Sequence, residues 1–189
     1  MNMGLLKKLF SKNKDEYKGD LKEGLPHGTG TMNFKSGNVY KGQWKNGKMD
    51  GEGTIFFADG DKYEGEIKNN EKHGKGKYIH KDKKIYSGSF KNDKKNGKGT
   101  LTYPNGEKYV GDFKDELFSG SGIFSYKDGG SYKGEYKNNL FHGTGTLIFG
   151  DGSKYKGEWE NGTYHGKGIY TFPNGKIQKG KFDKGKFVG

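Results

Sequence analysis

A tyrosine recurs every 23 residues in this 189-residue chain, over seven copies without an insertion or deletion. The seven are Tyr17, Tyr40, Tyr63, Tyr86, Tyr109, Tyr132 and Tyr155. A glycine stands two residues after each tyrosine, a bulky apolar residue two further on, and a Gly-x-Gly pair follows. Such a period is typical of stacked supersecondary repeats, which bury their apolar sides against one another. The composition agrees, because 28% hydrophobic residues are few for a globular core and 15% aromatic residues are many for a disordered chain.

Each copy has the pattern of a β-hairpin. In residues 155–159, apolar or small side chains alternate with charged ones, which indicates a strand with two different faces. A second alternating run follows the Gly-x-Gly pair and ends at Pro-Asn-Gly, residues 173–175. Asn-Gly and Asp-Gly favour type I′ turns, in which both central residues have positive φ. We interpret the glycine after each tyrosine as a packing feature, since a nearby ring can cover the gap that it leaves.

Residues 40–47 read Tyr-Lys-Gly-Gln-Trp-Lys-Asn-Gly and are completed by Gly51 and Gly53. This string resembles the MORN (membrane occupation and recognition nexus) repeat, and the copy that begins at Tyr155 resembles it as closely. The resemblance covers residues 17–189. It implies an extended, twisted antiparallel sheet with roles in scaffolding, in membrane-associated assemblies and in phospholipid binding. In larger relatives these repeats accompany kinase, methyltransferase or transmembrane segments, and we find no match to such a segment in this sequence.

We therefore predict an all-β fold, an elongated and twisted antiparallel meander sheet of tandem 23-residue β-hairpins. The first segment, residues 1–16, is basic and is expected to be either a short amphipathic helix or disordered. Seven MORN-like repeats are expected over residues 17–177, and a partial eighth repeat over residues 178–189.

Some copies depart from the common pattern. In the third copy His80 replaces an aromatic residue and Lys83 replaces a turn glycine, so we expect a local irregularity near residues 78–85. Asp93 and Glu116 stand where the first turn of other copies has glycine or asparagine, which leaves the geometry of those two turns open.

No catalytic or metal-binding constellation stands out. Equivalent positions in adjacent repeats are about 9.6 Å apart, so histidines at one repeat position cannot share a metal ion, and we expect them to tie down turns. These histidines are His27, His73, His142 and His165. The Gly-x-Gly pairs lack the lysine and the strand-to-helix context of a phosphate loop, and no copy adds a second acid in a pocket. We therefore predict a protein that is not an enzyme and has no cofactor.

The aromatic face is the predicted site for partner proteins. Aromatic side chains anchor interfaces well, because they bring large contact areas at a low entropic cost. A single-layer sheet has no second layer over this face, so we expect an open groove that receives a helix or an extended peptide. In the alternative, the rings simply pack on one another. The residues predicted to line the groove are Tyr40, Trp44, Tyr86, Phe90, Tyr109, Phe113, Tyr132, Tyr136, Tyr155 and Trp159.

The net charge of +12 comes from 35 lysines, since the sequence has no arginine. Lysine is a hydrated point charge, which predicts weak and salt-sensitive attraction to anions. Lysines near the two ends are predicted to contact an anionic membrane surface. They are Lys7, Lys8, Lys12, Lys14, Lys179, Lys181, Lys184 and Lys186. The N-terminal segment suits a cap on the first strand equally well. Nucleic acid is disfavoured, because arginine is absent and carboxylates alternate with the lysines.

These observations predict a non-catalytic scaffold or adaptor that binds protein partners through the aromatic groove. The alternative function is a module that binds anionic phospholipid. The absence of cysteine and of long apolar segments leads us to expect a soluble cytoplasmic protein, either free or peripheral at a membrane or the cytoskeleton. The strand edge at residues 178–182 is expected to lack a neighbour, which predicts a homodimer formed by strand addition.

Overall fold

The computed structural model describes residues 14–189, and every regular element in this range is a β-strand. Within the same range there is no helix that could cross a membrane. Lys7, Lys8 and Lys12 and the helix predicted for the N-terminal segment lie outside the described residues.

The chain divides into two compact units, one extending to residue 82 and including residues 90–93, the other comprising residues 83–89 and 94–189. The first unit contains β1 (Glu16–Lys22), β2 (Leu25–Asn33), β3 (Val39–Lys45), β4 (Lys48–Phe56), β5 (Lys62–Lys68) and β6 (Glu71–Ile79). Strand β7 (Ile85–Lys91) has residues in both units. The second unit contains β8 (Lys94–Thr102), β9 (Lys108–Lys114), β10 (Leu117–Ser125), β11 (Ser131–Lys137), β12 (Leu140–Ile148), β13 (Lys154–Glu160), β14 (Thr163–Thr171), β15 (Ile177–Asp183) and β16 (Lys186–Phe187).

Consecutive strands pair antiparallel from β1 to β6 in the first unit and from β8 to β16 in the second. Each repeat supplies one hairpin, and successive hairpins form a meander. The prediction of an all-β meander of tandem hairpins is therefore confirmed. The register is the same in each copy, so that Gly134, Gly145, Gly157 and Gly168 lie in one line across four strands.

The first turn of each repeat is a two-residue type I′ turn. Its central residues both have positive φ, for example 52° at Asn138 and 69° at Asn139. The turns that the sequence left open have the same geometry, because φ is 67° at Asp93 and 77° at Glu116. Side chains other than glycine and asparagine are thus tolerated there.

The second turn differs from the prediction. We expected type I′ geometry at Asn-Gly and Asp-Gly, but among residues 173–175 only Gly175 has a positive φ, of 83°. The Gly175 N–H donates to the Phe172 carbonyl at 2.9 Å, and the Phe172 N–H donates to the Lys176 carbonyl at 2.8 Å. This is a three-residue loop with a single left-handed residue. The longer loop removes the need for positive φ at the asparagine.

The loop of the third repeat is less irregular than expected. Strand β6 ends at Ile79 and β7 begins at Ile85, so the loop has the same length as the loops after β2 and β4. Lys83 has a φ of 70°, the left-handed value that glycine has in the other copies. Lys83 thus differs from the other copies in residue type but not in the sign of φ.

The glycines of the strands make room for the tyrosine rings. A methyl group at Gly134 would lie 2.5 Å from the Tyr132 hydroxyl oxygen and 2.6 Å from Cα of Gly145. The Tyr132 ring therefore lies over two glycines that face each other on neighbouring strands. The interpretation of this glycine as a packing feature is confirmed, and the covering ring comes from the same strand.

A bulge at the Gly-x-Gly pair interrupts the regular strand pairing, as in the hairpin of β11 and β12. Gly134 pairs with Gly145 but Glu135 pairs with His142, so two residues of β12 have no partner on β11. The Tyr132 hydroxyl donates to the Glu135 carbonyl at 3.0 Å, and the Thr144 N–H donates to the Glu135 carboxylate at 2.9 Å. Backbone groups that the bulge removes from the ladder are thus satisfied by side chains.

Candidate functional site

The aromatic side chains form the core. The Tyr132 ring meets Tyr136 of its own repeat and Trp159 of the next repeat edge to face, at centroid distances of 5.1 Å and 5.3 Å. Phe141 stacks on the same tyrosine at 3.6 Å. Edge-to-face and stacked pairs of this kind add stability beyond the area that they bury. Tyr132 is thus enclosed by rings of two repeats and by the glycines beneath it.

The open aromatic groove is a wrong prediction. The ten rings assigned to it are at most 5% exposed, and they are Tyr40, Trp44, Tyr86, Phe90, Tyr109, Phe113, Tyr132, Tyr136, Tyr155 and Trp159. We expected exposed rings because no second layer covers the sheet. The rings cover one another instead, since each bulky residue fills the space between two tyrosines. These side chains therefore hold the fold together and do not form a free contact surface.

The predicted free edge at residues 178–182 is also corrected in part. Strand β16 pairs with β15, with Phe187 opposite Phe182 and Lys186 opposite Asp183. The Val188 N–H donates to the Lys181 carbonyl at 2.9 Å. The chain folds back along this edge because a type I′ turn at Lys184 and Gly185 reverses it. These contacts involve residues 181–183 of β15, and the homodimer through residues 178–182 stays a prediction.

The opposite face of the second unit contains an open groove with a volume of about 1040 Å³, which we call the lysine groove. A single row of directly opposed residues crosses it on β11 to β15. The row consists of Lys133, Thr146, Lys156, Ile169 and Lys179. A second part of the lining comprises Thr144, Glu158, Lys167 and Lys181, and the strand glycines form the floor.

The lysine groove is strongly positive. Its five lysines are Lys133, Lys156, Lys167, Lys179 and Lys181. Among residues 14–189, none of their ammonium groups forms an ion pair with a carboxylate. The acidic side chain in the lining, Glu158, accepts the backbone N–H of Lys167 at 3.1 Å. The groove thus presents five ammonium groups that form no ion pair with the described residues.

Two of the predicted lipid-contacting lysines, Lys179 and Lys181, line this groove. Lys14, Lys184 and Lys186 are exposed and do not line it. Sequence reasoning missed Lys133, Lys156 and Lys167. A signal was present, because lysine occupies the same repeat position at residues 133, 156 and 179.

The carboxylates and histidines of the repeat have structural roles. The carboxylate directly before the bulky residue of the repeat, such as Glu135 before Tyr136, accepts hydrogen bonds at the bulge. Hydrogen bonds from the Thr144 N–H and hydroxyl lower the pKa of Glu135. His27 accepts the Asn46 N–H at 3.5 Å and Asp50 accepts the Asn69 N–H at 3.1 Å, so this position ties down the next turn. In residues 14–189 no group of three histidine or carboxylate side chains converges on a metal position.

The MORN repeat family matches seven consecutive segments of the chain, residues 17–39, 40–62, 63–84, 86–108, 109–131, 132–154 and 155–177. No curated protein matches the chain significantly in sequence. The TCP domain of SAS-4 (dCPAP) from Drosophila melanogaster, solved with a proline-rich motif of Ana2 (dSTIL), is similar with a TM-score of 0.48 and 14% identity, over 80% of this chain and 83% of that chain. The TCP10 domain of CPAP from Danio rerio is similar with a TM-score of 0.42 and 12% identity, over 81% of this chain and 83% of that chain. With seven registered matches from residue 17 to residue 177, this chain belongs to the MORN repeat family.

Proposed function

We propose that this protein is a non-catalytic scaffold that binds a protein partner, and that the lysine groove is its contact surface. The observation that supports this proposal is the set of five lysines without ion pairs, placed over a concave floor. Charges of one sign in a concave surface attract and orient an oppositely charged partner. The partner segment is therefore expected to be acidic.

The groove suits binding better than reaction chemistry. General acid and base catalysis needs titratable groups in complementary protonation states, placed to exchange protons with a substrate. The lining offers lysine ammonium groups, threonine hydroxyls and the Glu158 carboxylate, which already accepts a backbone N–H. Such a surface can hold an anionic chain in place.

Anionic phospholipid is the second candidate, because exposed lysines also attract lipid headgroups. The concave shape favours a protein segment, since a polypeptide can reach the glycine floor while a bilayer surface contacts mainly the rim. Attachment at a membrane or the cytoskeleton, and a cytoplasmic location, stay predictions.

A charge-matched pair of variants tests the proposal. The groove variant carries Lys133→Gln, Lys156→Gln and Lys179→Gln. The control variant carries Lys114→Gln, Lys127→Gln and Lys176→Gln, which removes equal charge at exposed positions outside the groove. Proteins recovered by affinity purification with the wild-type chain are identified, purified and titrated against all three forms. We expect the groove variant to lose binding and the control variant to retain it.

Vesicle flotation separates the two candidate functions. Vesicles of phosphatidylcholine with and without phosphatidylserine are mixed with the same three proteins at low and moderate salt. Flotation that depends on phosphatidylserine and is lost in the groove variant, together with unchanged protein binding, would favour the lipid function. Equal protein binding by the groove variant and the control variant would contradict the scaffold proposal at this surface.

A further inference from the structure

We infer that the lysine groove recognises an acidic segment in the polyproline II conformation, with a carboxylate at every third residue. This inference rests on the proposed function and adds the conformation and spacing of the bound segment. The inference is based on the positions of three lysines in one row of the sheet, Lys133, Lys156 and Lys179.

The three lysines lie in one line at a regular spacing. Lys133 is opposite Thr146, which is opposite Lys156, and the same pairing continues through Ile169 to Lys179. Consecutive lysines are thus two strands apart. Since neighbouring strands are about 4.8 Å apart, the lysines recur about every 9.6 Å along a direction perpendicular to the strands.

Of the regular peptide conformations, polyproline II matches this spacing best. It has three residues per turn and a rise of about 3.1 Å, so equivalent side chains recur about every 9.3 Å. A β-strand repeats its side chains on one face about every 6.8 Å, and seven residues of an α-helix advance about 10.5 Å. Over three lysines the polyproline II segment accumulates a mismatch of about 0.6 Å, and the helix about 1.8 Å.

The sheet residues between the lysines can contact the residues that separate the carboxylates of the bound segment. Thr146 lies between Lys133 and Lys156, and Ile169 lies between Lys156 and Lys179. Ile169 lines the groove and is partly exposed, so it offers an apolar contact for a proline or an aliphatic side chain. A polyproline II segment has a fully solvated backbone without internal hydrogen bonds, and it is a major conformer of unfolded chains, so binding in this form requires little ordering.

The strand backbone at the floor gives such a segment room. At the glycine positions, among them Gly145, Gly157 and Gly168, the Cβ direction points to the tyrosine face, so the floor of the groove there is backbone alone. Lys167 and Lys181 face each other on β14 and β15, two residues along the strands from the row of three lysines. A segment lying over the glycines at that end therefore has ammonium groups on both sides.

The test uses three fluorescent peptides with identical composition, built from glutamate, proline, glycine and serine. Their three glutamates are spaced by three residues, by two or by four. Binding to the full chain is measured by fluorescence anisotropy at about 50 mM salt. We expect the three-residue spacing to bind at least about fivefold more tightly than the other two spacings. With Lys133→Gln, Lys156→Gln and Lys179→Gln, its affinity is expected to fall about tenfold and the preference to disappear.

The control variant with Lys114→Gln, Lys127→Gln and Lys176→Gln is expected to keep both the affinity and the preference. Equal affinities for the three spacings, all reduced in the groove variant, would overturn the polyproline II inference and leave the proposed function standing. Absence of binding by all three peptides, or binding that the groove variant does not weaken, would overturn both. Far-ultraviolet circular dichroism and thermal unfolding of each variant verify that the compared proteins are folded.

Discussion

The ammonium group of Lys95 lies 2.5 Å from a carboxylate oxygen of Glu116, a residue of the next repeat. The other carboxylate oxygen of Glu116 accepts the Lys95 N–H at 2.5 Å, and the Glu116 N–H donates to the Lys95 carbonyl at 3.1 Å. Lys72 and Asp93 form a similar arrangement one repeat earlier, in which one Asp93 carboxylate oxygen accepts the Lys72 N–H at 2.9 Å and lies 3.7 Å from the Lys72 ammonium group. The acidic residues that looked anomalous in these turns are thus acceptors that join one repeat to the next. Their contacts offset the cost of a positive φ at a residue other than glycine.

A double-mutant series tests this relationship. Glu116→Ala is expected to lower the free energy of unfolding by about 2 kcal/mol, because it removes two acceptors and keeps a side chain at positive φ. Lys95→Phe with Glu116→Asn copies the pairing of Phe118 with Asn139, in which the asparagine oxygen accepts the Phe118 N–H at 2.8 Å. This double variant is expected to be at least as stable as the wild type. Urea unfolding provides the measurement, and a Glu116→Ala protein as stable as wild type would contradict the proposed link.

The tyrosine–glycine contact predicts a large effect of a small substitution. In Gly134→Ala the new methyl group would meet backbone atoms of the neighbouring strand, 2.6 Å from Cα of Gly145 and 2.7 Å from the Thr144 carbonyl oxygen. Because these contacts are backbone atoms, which cannot rotate away as a side chain can, we expect a loss of at least about 2 kcal/mol of stability. Lys133→Ala, at the adjacent exposed position, is the control and is expected to change stability by less than about 0.5 kcal/mol. Equal unfolding midpoints for the two variants would refute the packing role of this glycine.

Two tyrosine hydroxyls in the same strand have opposite predicted effects. The Tyr136 hydroxyl is buried and has no hydrogen-bond partner among residues 14–189, whereas the Tyr132 hydroxyl donates to the Glu135 carbonyl. Tyr136→Phe is therefore expected to raise the free energy of unfolding by about 1 kcal/mol, because a buried unsatisfied hydroxyl is removed. Tyr132→Phe is expected to lower it by about 1 kcal/mol. Thermal unfolding distinguishes them, and a destabilised Tyr136→Phe protein would show that this hydroxyl is satisfied in solution.

The bulge acceptor Glu135 predicts a dependence of stability on pH. Hydrogen bonds from the Thr144 N–H and hydroxyl lower the pKa of Glu135 in the folded protein. Its stabilising contribution is therefore present above the pKa of the unfolded state and is lost as the pH falls through the lower pKa of the folded state. Glutamine already serves as the acceptor at Gln43, which binds the Glu52 N–H at 2.8 Å.

Glu135→Gln is thus expected to fold at neutral pH and to lose less stability than the wild type between about pH 6 and about pH 3. Urea unfolding at a series of pH values measures this difference. The control is Glu71→Gln, because Glu71 is exposed and its carboxylate forms no hydrogen bond or ion pair with residues 14–189. If wild type and Glu135→Gln show parallel pH profiles, the carboxylate has no special role at the bulge.

The hairpins, their period and the packing role of the strand glycines were predictable because each depends on residues close together in the chain. Apolar or small side chains alternate with charged ones in residues 155–159, which specifies a strand with two different faces. The Asn161-Gly162 dipeptide specifies a tight turn that reverses the chain direction. The second turn was predicted less well. Its Asn174-Gly175 dipeptide is compatible with two loop types, and in the structure the hydrogen bond from the Phe172 N–H to the Lys176 carbonyl closes the longer one.

The sequence alone determined the fold class, since a 23-residue period, alternating strand faces and turn dipeptides are local features that act identically in every copy. Only the tertiary structure decided which face is accessible. The burial of Tyr132 depends on Trp159, a residue of the next repeat, and the row of Lys133, Lys156 and Lys179 exists because strand register aligns residues that are 23 positions apart. Side-chain burial and charge clustering are properties of neighbours in space, and the pairing of the strands determines those neighbours.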